Sequence, residues 1–154
     1  MLKISTKARY SVRAVFDMAY HNAGEPSRVR EISERQGISA RYLEQIFQSL
    51  RRGGILKSRR GPHGGYYLSR SLSEIKVADV IRAAEGSLVR SFKAGRRKKM
   101  ELPITEVYLS KEVWQEVERV VEERLEEIDL ETLCEKGRQA GLPSELEKKV
   151  MYFI

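Results

Sequence analysis

Residues 37–68 constrain the fold of this 154-residue chain most, because the pattern of an amphipathic helix is followed at once by the pattern of a hairpin. Within 41–52, apolar side chains recur at the i, i+3, i+4, i+7 spacing of a helix with one buried face. The apolar stripe is formed by Leu43, Ile46, Phe47 and Leu50. The opposite face carries side chains that can hydrogen-bond base edges and phosphates. The candidates there are Arg41, Tyr42, Glu44, Gln45, Gln48 and Arg52. An ordinary helix with a solvated polar face is the alternative.

A shorter helix precedes this one. Ser27 is its predicted start signal, and Gly37 ends it, where a left-handed cap is least costly. Ser39 is the predicted N-cap of the second helix. Two helices joined by a short turn that contains glycine form the helix-turn-helix arrangement, whose second helix can enter the major groove.

A basic hairpin follows the second helix. Gly53 and Gly54 end that helix, and residues 55–60 and 66–69 are predicted strands around a glycine-rich turn. The hairpin carries candidate contacts to the DNA backbone or minor groove, namely Lys57, Arg59, Arg60 and, in the turn, His63. A helix-turn-helix followed directly by such a hairpin is a winged helix. The predicted fold is therefore mainly α with a small β-hairpin wing (α+β).

Four segments carry a resemblance to a known family: ISTKARY at 4–10, ISERQGIS at 32–39, YLEQIF at 42–47 and RGPHGGYYL at 60–68. They resemble the IscR/CymR-type winged-helix transcription regulators of bacteria, strongly over the first 87 residues and more loosely beyond. The resemblance implies that Glu44 and Arg60 read bases, with Gln45 and Arg41 as weaker candidates. It also implies phosphate contacts from Lys7 and Arg9 at the start of the first helix.

Charge is divided unevenly along the chain. Residues 1–100 contain 22 Lys and Arg against 8 Asp and Glu, whereas residues 101–154 contain 7 against 14, and the total is +7. This asymmetry is typical of a nucleic-acid-binding domain joined to a protein-interaction region, although chance could also produce it. No apolar run reaches the ~20 residues that span a bilayer, and no signal peptide opens the chain. The expected location is the cytoplasm, with no membrane partner.

The predicted organisation has three parts: a winged helix-turn-helix domain over 1–87, a basic flexible linker over 88–109, and a helical dimerisation region over 110–154. Residues 90–99 hold six basic side chains, which either add phosphate contacts or stay solvated. Ser110 is the predicted cap of a long helix with one broad apolar stripe. This stripe consists of Val113, Trp114, Val117, Val120, Val121, Leu125 and Ile128. The resemblance implies a homodimer formed through this helix, and the alternative is a helix packed across its own domain.

Cysteine usage argues against a cofactor. Iron–sulfur members of the family place three cysteines and a nearby histidine in the region that corresponds to 87–110, because the cluster irons need thiolate ligands. This chain has no cysteine there, so we predict no cluster, no metal and no other cofactor. Its one cysteine, Cys134, cannot form an intrachain disulfide. We predict that Cys134 is a packing residue, and the alternative is a lone redox-sensing thiol.

The chain ends in an apolar tail that includes Tyr152, Phe153 and Ile154. The tail resembles that of the clusterless CymR-like branch, which controls cysteine metabolism with O-acetylserine sulfhydrylase, an enzyme that accepts peptides ending in isoleucine. The resemblance therefore implies this enzyme as a partner, and a tail folded back onto the dimer is the alternative.

No catalytic motif is present: the chain lacks a Walker-type phosphate loop, metal-ligand spacing and a Ser/His/Asp set. We therefore predict a non-enzymatic regulator, a homodimeric repressor that binds an inverted repeat in double-stranded DNA. The main alternative is a protein-interaction module whose acidic helical half docks a partner. RNA binding is a weaker alternative, because the sequence lacks the usual platform of aromatic side chains.

Overall fold

The helices and strands follow the predicted order in the computed structural model, which describes residues 4–86, Leu88 and 103–151. The winged part contains α1 (Thr6–Asn22), α2 (Val29–Gln36), α3 (Ala40–Arg52), β1 (Leu56–Arg59), β2 (Gly65–Leu68), a 3₁₀ turn (Leu72–Glu74) and α4 (Val77–Glu85). A long helix, α5, spans 104–127, and α6 (Leu130–Gln139) and α7 (Glu145–Met151) follow it. The predicted fold class, mainly α with a small antiparallel hairpin, is confirmed.

Helices α1, α2 and α3 enclose one apolar core. The predicted stripe of α3 lies at its centre, since Leu43, Ile46, Phe47 and Leu50 are all fully buried. Ser39 caps α3 as predicted, because its side chain accepts a hydrogen bond from the backbone N–H of Tyr42 at 3.2 Å. The arrangement of the stripe leaves the opposite face of α3 open to solvent.

The turn between α2 and α3 is built as the sequence predicts, but the start of α2 is not. Gly37 ends α2 in the left-handed conformation, with φ of 62°. The prediction that Ser27 starts α2 is wrong, because the helix begins at Val29 with Arg28 as its N-cap. Ser27 instead pairs with Tyr66 of the wing: the Ser27 N–H donates to the Tyr66 carbonyl at 2.7 Å, and the Tyr66 N–H donates to the Ser27 carbonyl at 3.0 Å.

The wing is therefore attached to the helix-turn-helix by backbone hydrogen bonds. Strand β1 is two residues shorter than predicted, and β2 has the predicted length but begins and ends one residue earlier. The two strands pair in antiparallel register, from Leu56 opposite Leu68 to Arg59 opposite Gly65. The Ser27–Tyr66 pair adds a one-residue bridge on the free side of β2. This bridge fixes the wing beside the start of α2.

A buried carboxylate joins α1 to α2. The Asp17 side chain is fully buried and accepts hydrogen bonds from Arg35 Nη2 at 2.6 Å and Nε at 3.0 Å. The other oxygen accepts from Gln36 Nε2 at 2.7 Å. Both donors lie in the last turn of α2, so the contact sets the position of α2, and through the turn that of α3, against α1.

The long helix begins earlier than the sequence predicts. The prediction that Ser110 caps it is wrong, because Ser110 has helical dihedral angles of −59° and −39°. Pro103 is the N-cap, and Ile104–Leu109 form the first turns of the helix. Residues Ser110–Trp114 take a wider π-helical turn, and Gln115–Glu127 continue the α-helix. The described part of the predicted linker therefore belongs mainly to α5, which is about 36 Å long at 1.5 Å per residue.

The C-terminal end of α5 packs on the winged part of its own chain. Leu125 and Ile128 lie against a small apolar cluster on α1 and α4. Arg82 of α4 binds Glu122, at 2.8 Å, and Glu126. Leu125 and Ile128, both predicted to lie at the dimer interface, are thus used at least partly within the chain. Their predicted dimer contact stays a prediction, and this end of the stripe also packs within its own chain.

Backbone pairing reinforces this attachment. The Val77 N–H donates to the Ile128 carbonyl at 2.8 Å, and the Leu130 N–H donates to the Ile75 carbonyl at 3.1 Å. Helix α6 then packs on α1, where Cys134 is buried with 1% of its surface exposed. The prediction that Cys134 is a packing residue is confirmed. Burial also raises the pKa of the Cys134 thiol, which argues against a readily formed thiolate.

Candidate nucleic-acid interface

Six polar side chains of α3 are exposed, namely Arg51 and the five that the sequence predicts. All five, predicted from helical periodicity, are exposed: Arg41, Glu44, Gln45, Gln48 and Arg52. Tyr42 is half-buried. The exposed set combines guanidinium donors, a carboxylate acceptor and amides that both donate and accept, which are the groups that discriminate base pairs in a major groove.

One member of this set is held by the wing. The phenolic O–H of Tyr66, on β2, donates to Glu44 Oε2 at 3.2 Å. The Tyr66 ring also packs edge-on against Phe47, with 5.0 Å between ring centroids. Burial raises the pKa of Tyr66, and the negative charge of Glu44 raises it further. The phenol is therefore a hydrogen-bond donor at neutral pH.

The wing carries four exposed candidate contacts: Lys57, Arg59, Arg60 and His63. Two hydrogen bonds support the wing tip. Arg59 Nη2 donates to the His63 carbonyl at 3.4 Å, and Arg28 Nη2, at the start of α2, donates to the Pro62 carbonyl at 2.5 Å. The cationic tip is thus attached to the same helix that leads into the turn before α3.

The N-terminal half of α1 adjoins the first turn of α3. Tyr10 packs edge-on against Tyr42, with 6.0 Å between ring centroids, and the Arg13 guanidinium lies 5.2 Å from the centre of the Tyr10 ring. Arg9, next to Tyr10 in sequence, is exposed, and Lys7 is half-buried. The structure therefore places the predicted phosphate contacts of α1 on an element that packs beside α3.

Three residues that brace this surface are absent from the sequence-based predictions: Tyr66, Arg51 and Arg28. Arg51 Nη1 donates to Ser58 Oγ of β1 at 3.3 Å, so it joins α3 to the wing, as Tyr66 does. A signal for Tyr66 is present in the sequence, because Tyr66 lies two residues before the buried Leu68 on β2 and therefore on the same face of the strand. The contacts of Arg28 and Arg51 depend on tertiary packing and leave no local pattern.

The donor set does not fit a cysteine-bound iron–sulfur cluster. Cluster irons are held mainly by thiolates, and the only cysteine of the chain is buried on α6. Among residues 4–86, Leu88 and 103–151, no group of three or more His, Cys, Asp or Glu is placed to hold a metal ion. In the same part of the chain, no helix is both long and apolar enough to cross a membrane.

Comparison with known proteins agrees with this geometry. The model of the Rrf2 family, described as an iron-dependent transcriptional regulator, matches residues 4–136. The chain belongs to the Rrf2 family. The transcriptional regulator IscR of Photorhabdus laumondii is 48% identical over 87 residues, which are 56% of this chain and 53% of that protein. The chain thus matches about half the length of its curated relatives.

Solved structures extend the likeness over most of the chain. IscR of T. potens superimposes with a TM-score of 0.71 at 37% identity and covers 92% of this chain and 93% of its own. CymR, described as the global cysteine regulator of B. subtilis, superimposes with a TM-score of 0.68 at 34% identity. The match covers 88% of this chain and 98% of the CymR chain. The resemblance to IscR/CymR-type regulators is confirmed. The family description mentions iron dependence, but this chain has one cysteine and therefore lacks the set of thiolates that would hold an iron–sulfur cluster.

Two predicted features lie outside the described residues. They are the basic segment 90–99 and the tail residues Tyr152, Phe153 and Ile154. The predicted phosphate contacts of the first and the predicted enzyme contact of the second stay predictions.

Proposed function

We propose that this Rrf2-family protein is a sequence-specific DNA-binding repressor, which occludes a promoter by binding an inverted repeat as a homodimer. The observation that carries the proposal is the exposed polar face of α3, opposite a fully buried stripe and braced by a cationic wing. In this geometry α3 enters the major groove, and the wing lies against the backbone. We place the site of action in the cytoplasm, because the relatives are transcriptional regulators of bacteria.

The proposed contacts divide into two groups. The base-reading group is Arg41, Glu44, Gln45 and Arg60. The phosphate group is Lys7, Arg9, Arg52, Lys57 and Arg59. Tyr42, Gln48 and His63 lie beside them at the same surface. Each phosphate that is neutralised contributes about −0.9 to the slope of log affinity against log salt concentration, so we expect steep salt dependence.

Uncovered apolar side chains on the N-terminal half of α5 support the homodimer. Ile104, Tyr108 and Trp114 are 86%, 64% and 53% exposed, and Val113, Val117 and Val120 are exposed beside them. Several large apolar side chains exposed along one helix are typical of an interaction site. A twofold interface would cover it with the same surface of a second copy and present two α3 helices to the two half-sites. Val121, half-buried, lies between this surface and the intrachain end of the helix.

Sedimentation equilibrium of the wild type and Trp114→Glu tests the dimer. We expect a dimer of the 17.8-kDa chain at micromolar concentration and a weaker dimer for the variant, because the substitution places a carboxylate in the apolar surface. Glu112→Ala is the control, because it changes an exposed charged residue of the same helix and leaves the apolar side chains in place. A wild type that sediments only as a monomer contradicts the homodimer.

The proposed regulon is cysteine or sulfur metabolism. Its support is the 34% identity to CymR, described as a global cysteine regulator, over 88% of this chain, together with the apolar sequence Tyr152-Phe153-Ile154. The corresponding partner is O-acetylserine sulfhydrylase, bound through Tyr152, Phe153 and Ile154. Deletion of Ile154 should then abolish enzyme binding and leave DNA binding intact, and unchanged enzyme binding would contradict the tail contact.

Selection of bound sequences from a random DNA pool tests the central proposal. We expect an enriched inverted repeat, with altered base preference for Arg60→Ala and Glu44→Ala, because a base contact contributes about 1–3 kcal/mol of discrimination. Lys136→Ala is the matched control for Arg60→Ala, since it removes one exposed positive charge from α6, outside the proposed interface. If the wild type enriches no sequence, the acidic helical half as a docking module becomes the better account.

A further inference from the structure

The contact between Tyr66 and Glu44 joins the wing to the recognition helix at a base-reading position. Glu44 is exposed on α3, and a free glutamate there would sample several rotamers. Tyr66 is held on three sides: both of its backbone groups bond to Ser27, its ring packs on Phe47, and its hydroxyl donates to Glu44 Oε2. The donor is therefore fixed in space before any DNA arrives.

The geometry of a carboxylate gives this contact a direct effect on base reading. A glutamate carboxylate has two oxygens, and Tyr66 donates to only one of them. The second oxygen remains an acceptor on the exposed side of α3, and a carboxylate that accepts from the cytosine amino group selects cytosine in the major groove. A restrained Glu44 loses less side-chain freedom on binding than an unrestrained one, so more of its contact energy appears as discrimination.

We propose that Tyr66 is a positioning residue for Glu44, and that the strength of cytosine discrimination by α3 depends on the phenol of the wing. The inference rests on the proposed sequence-specific DNA binding and adds a residue to it. Tyr66 itself contacts no base in this account. It acts by limiting where the carboxylate can lie.

Tyr66→Phe tests the proposal with a single atom removed. The variant keeps the aromatic ring, its packing on Phe47 and the backbone pairing with Ser27, and loses only the O–H. The readout is the affinity ratio between the selected operator and operators substituted at the base pair where Glu44→Ala loses its preference. We expect Tyr66→Phe to lower this ratio about two- to tenfold, the effect of losing one hydrogen bond. The salt slope and the affinity for unrelated DNA should stay as in the wild type.

Two comparisons separate positioning from other roles. Tyr67→Phe, the neighbouring phenol on β2, is the matched control and should leave the ratio unchanged. In a Glu44→Ala background, Tyr66→Phe should cause no further loss of affinity for the selected operator, because the two residues act as one unit. A further loss in that background would overturn the proposal, since the phenol would then act on DNA without Glu44.

The outcome also distinguishes the positioning role of Tyr66 from the proposed sequence-specific DNA binding. A Tyr66→Phe protein that keeps the full ratio at the Glu44-dependent base pair overturns the positioning role and leaves the DNA-binding function standing. A wild type with no base preference at all overturns both.

Discussion

Replacement of the buried Asp17 by alanine should destabilise the protein far more than replacement of an exposed carboxylate in a similar ion pair. The Asp17 side chain is 0% exposed, and Arg35 Nη2 lies 2.6 Å from its Oδ2. Removal leaves a guanidinium that is only 23% exposed without its partner, and Gln36 loses an acceptor at 2.7 Å. Breaking a buried pair in this way costs about 3–5 kcal/mol.

Glu34→Ala is the matched control. Glu34 binds Arg30 at 2.8 Å, a similar distance, but the two side chains are 65% and 88% exposed. An exposed pair of this kind contributes about 0–1 kcal/mol, because water screens the charges and both side chains lose rotamer freedom.

Urea unfolding followed by circular dichroism measures both variants at one protein concentration, since association would shift the apparent stability. We expect the free energy of unfolding to fall by several kilocalories per mole for Asp17→Ala and to change little for Glu34→Ala. Equal losses for the two variants, or a loss below about 1 kcal/mol for Asp17→Ala, would refute the argument that burial decides the value of the pair.

Two further predictions concern buried titratable groups. Burial lowers the pKa of His21, and its Nδ1 accepts the Glu145 N–H at 3.2 Å, which requires a neutral imidazole. The unfolded chain therefore binds a proton at His21 more readily than the folded protein does. The free energy of unfolding should be highest above the unfolded pKa of about 6.5 and decrease at lower pH, with a shallower decrease in His21→Gln; identical pH profiles would contradict this. Cys134, buried and with a raised pKa, should react slowly with iodoacetamide in the native protein and rapidly in urea. Rapid labelling of the native protein would show that the thiol is accessible.

Local sequence patterns predicted the recognition helix and the wing well. The α3 stripe, the Ser39 cap and the left-handed Gly37 depend on neighbouring residues alone, and all three are confirmed. The prediction of where the long helix begins is wrong, because it also depends on a local pattern, the side chain of a single residue. Ser110 has a side chain typical of an N-cap, whereas the actual N-cap, Pro103, makes no side-chain capping bond and gave no comparable signal.

Pairs that meet across the fold could not be predicted from one sequence. The Asp17–Arg35 pair, the attachment of α5 to α4 through Arg82, and the Tyr66–Glu44 contact all join residues from different elements. Periodicity showed that α5 has an apolar stripe, but it could not divide the stripe between the chain itself and a partner. That division depends on where α4 lies, which is a property of the tertiary structure.

The short backbone bridge between Ser27 and Tyr66 has a consequence for how binding could be switched. Together with the hydrogen bonds from Arg28, the N-cap of α2, to the wing tip and from Arg51 of α3 to β1, it joins α2, α3 and the wing into one unit. An effector therefore has little scope to change the arrangement of α2, α3 and the wing within this unit. In a dimer, an effector would instead change the separation of the two units. That separation would then match or mismatch the spacing of the operator half-sites.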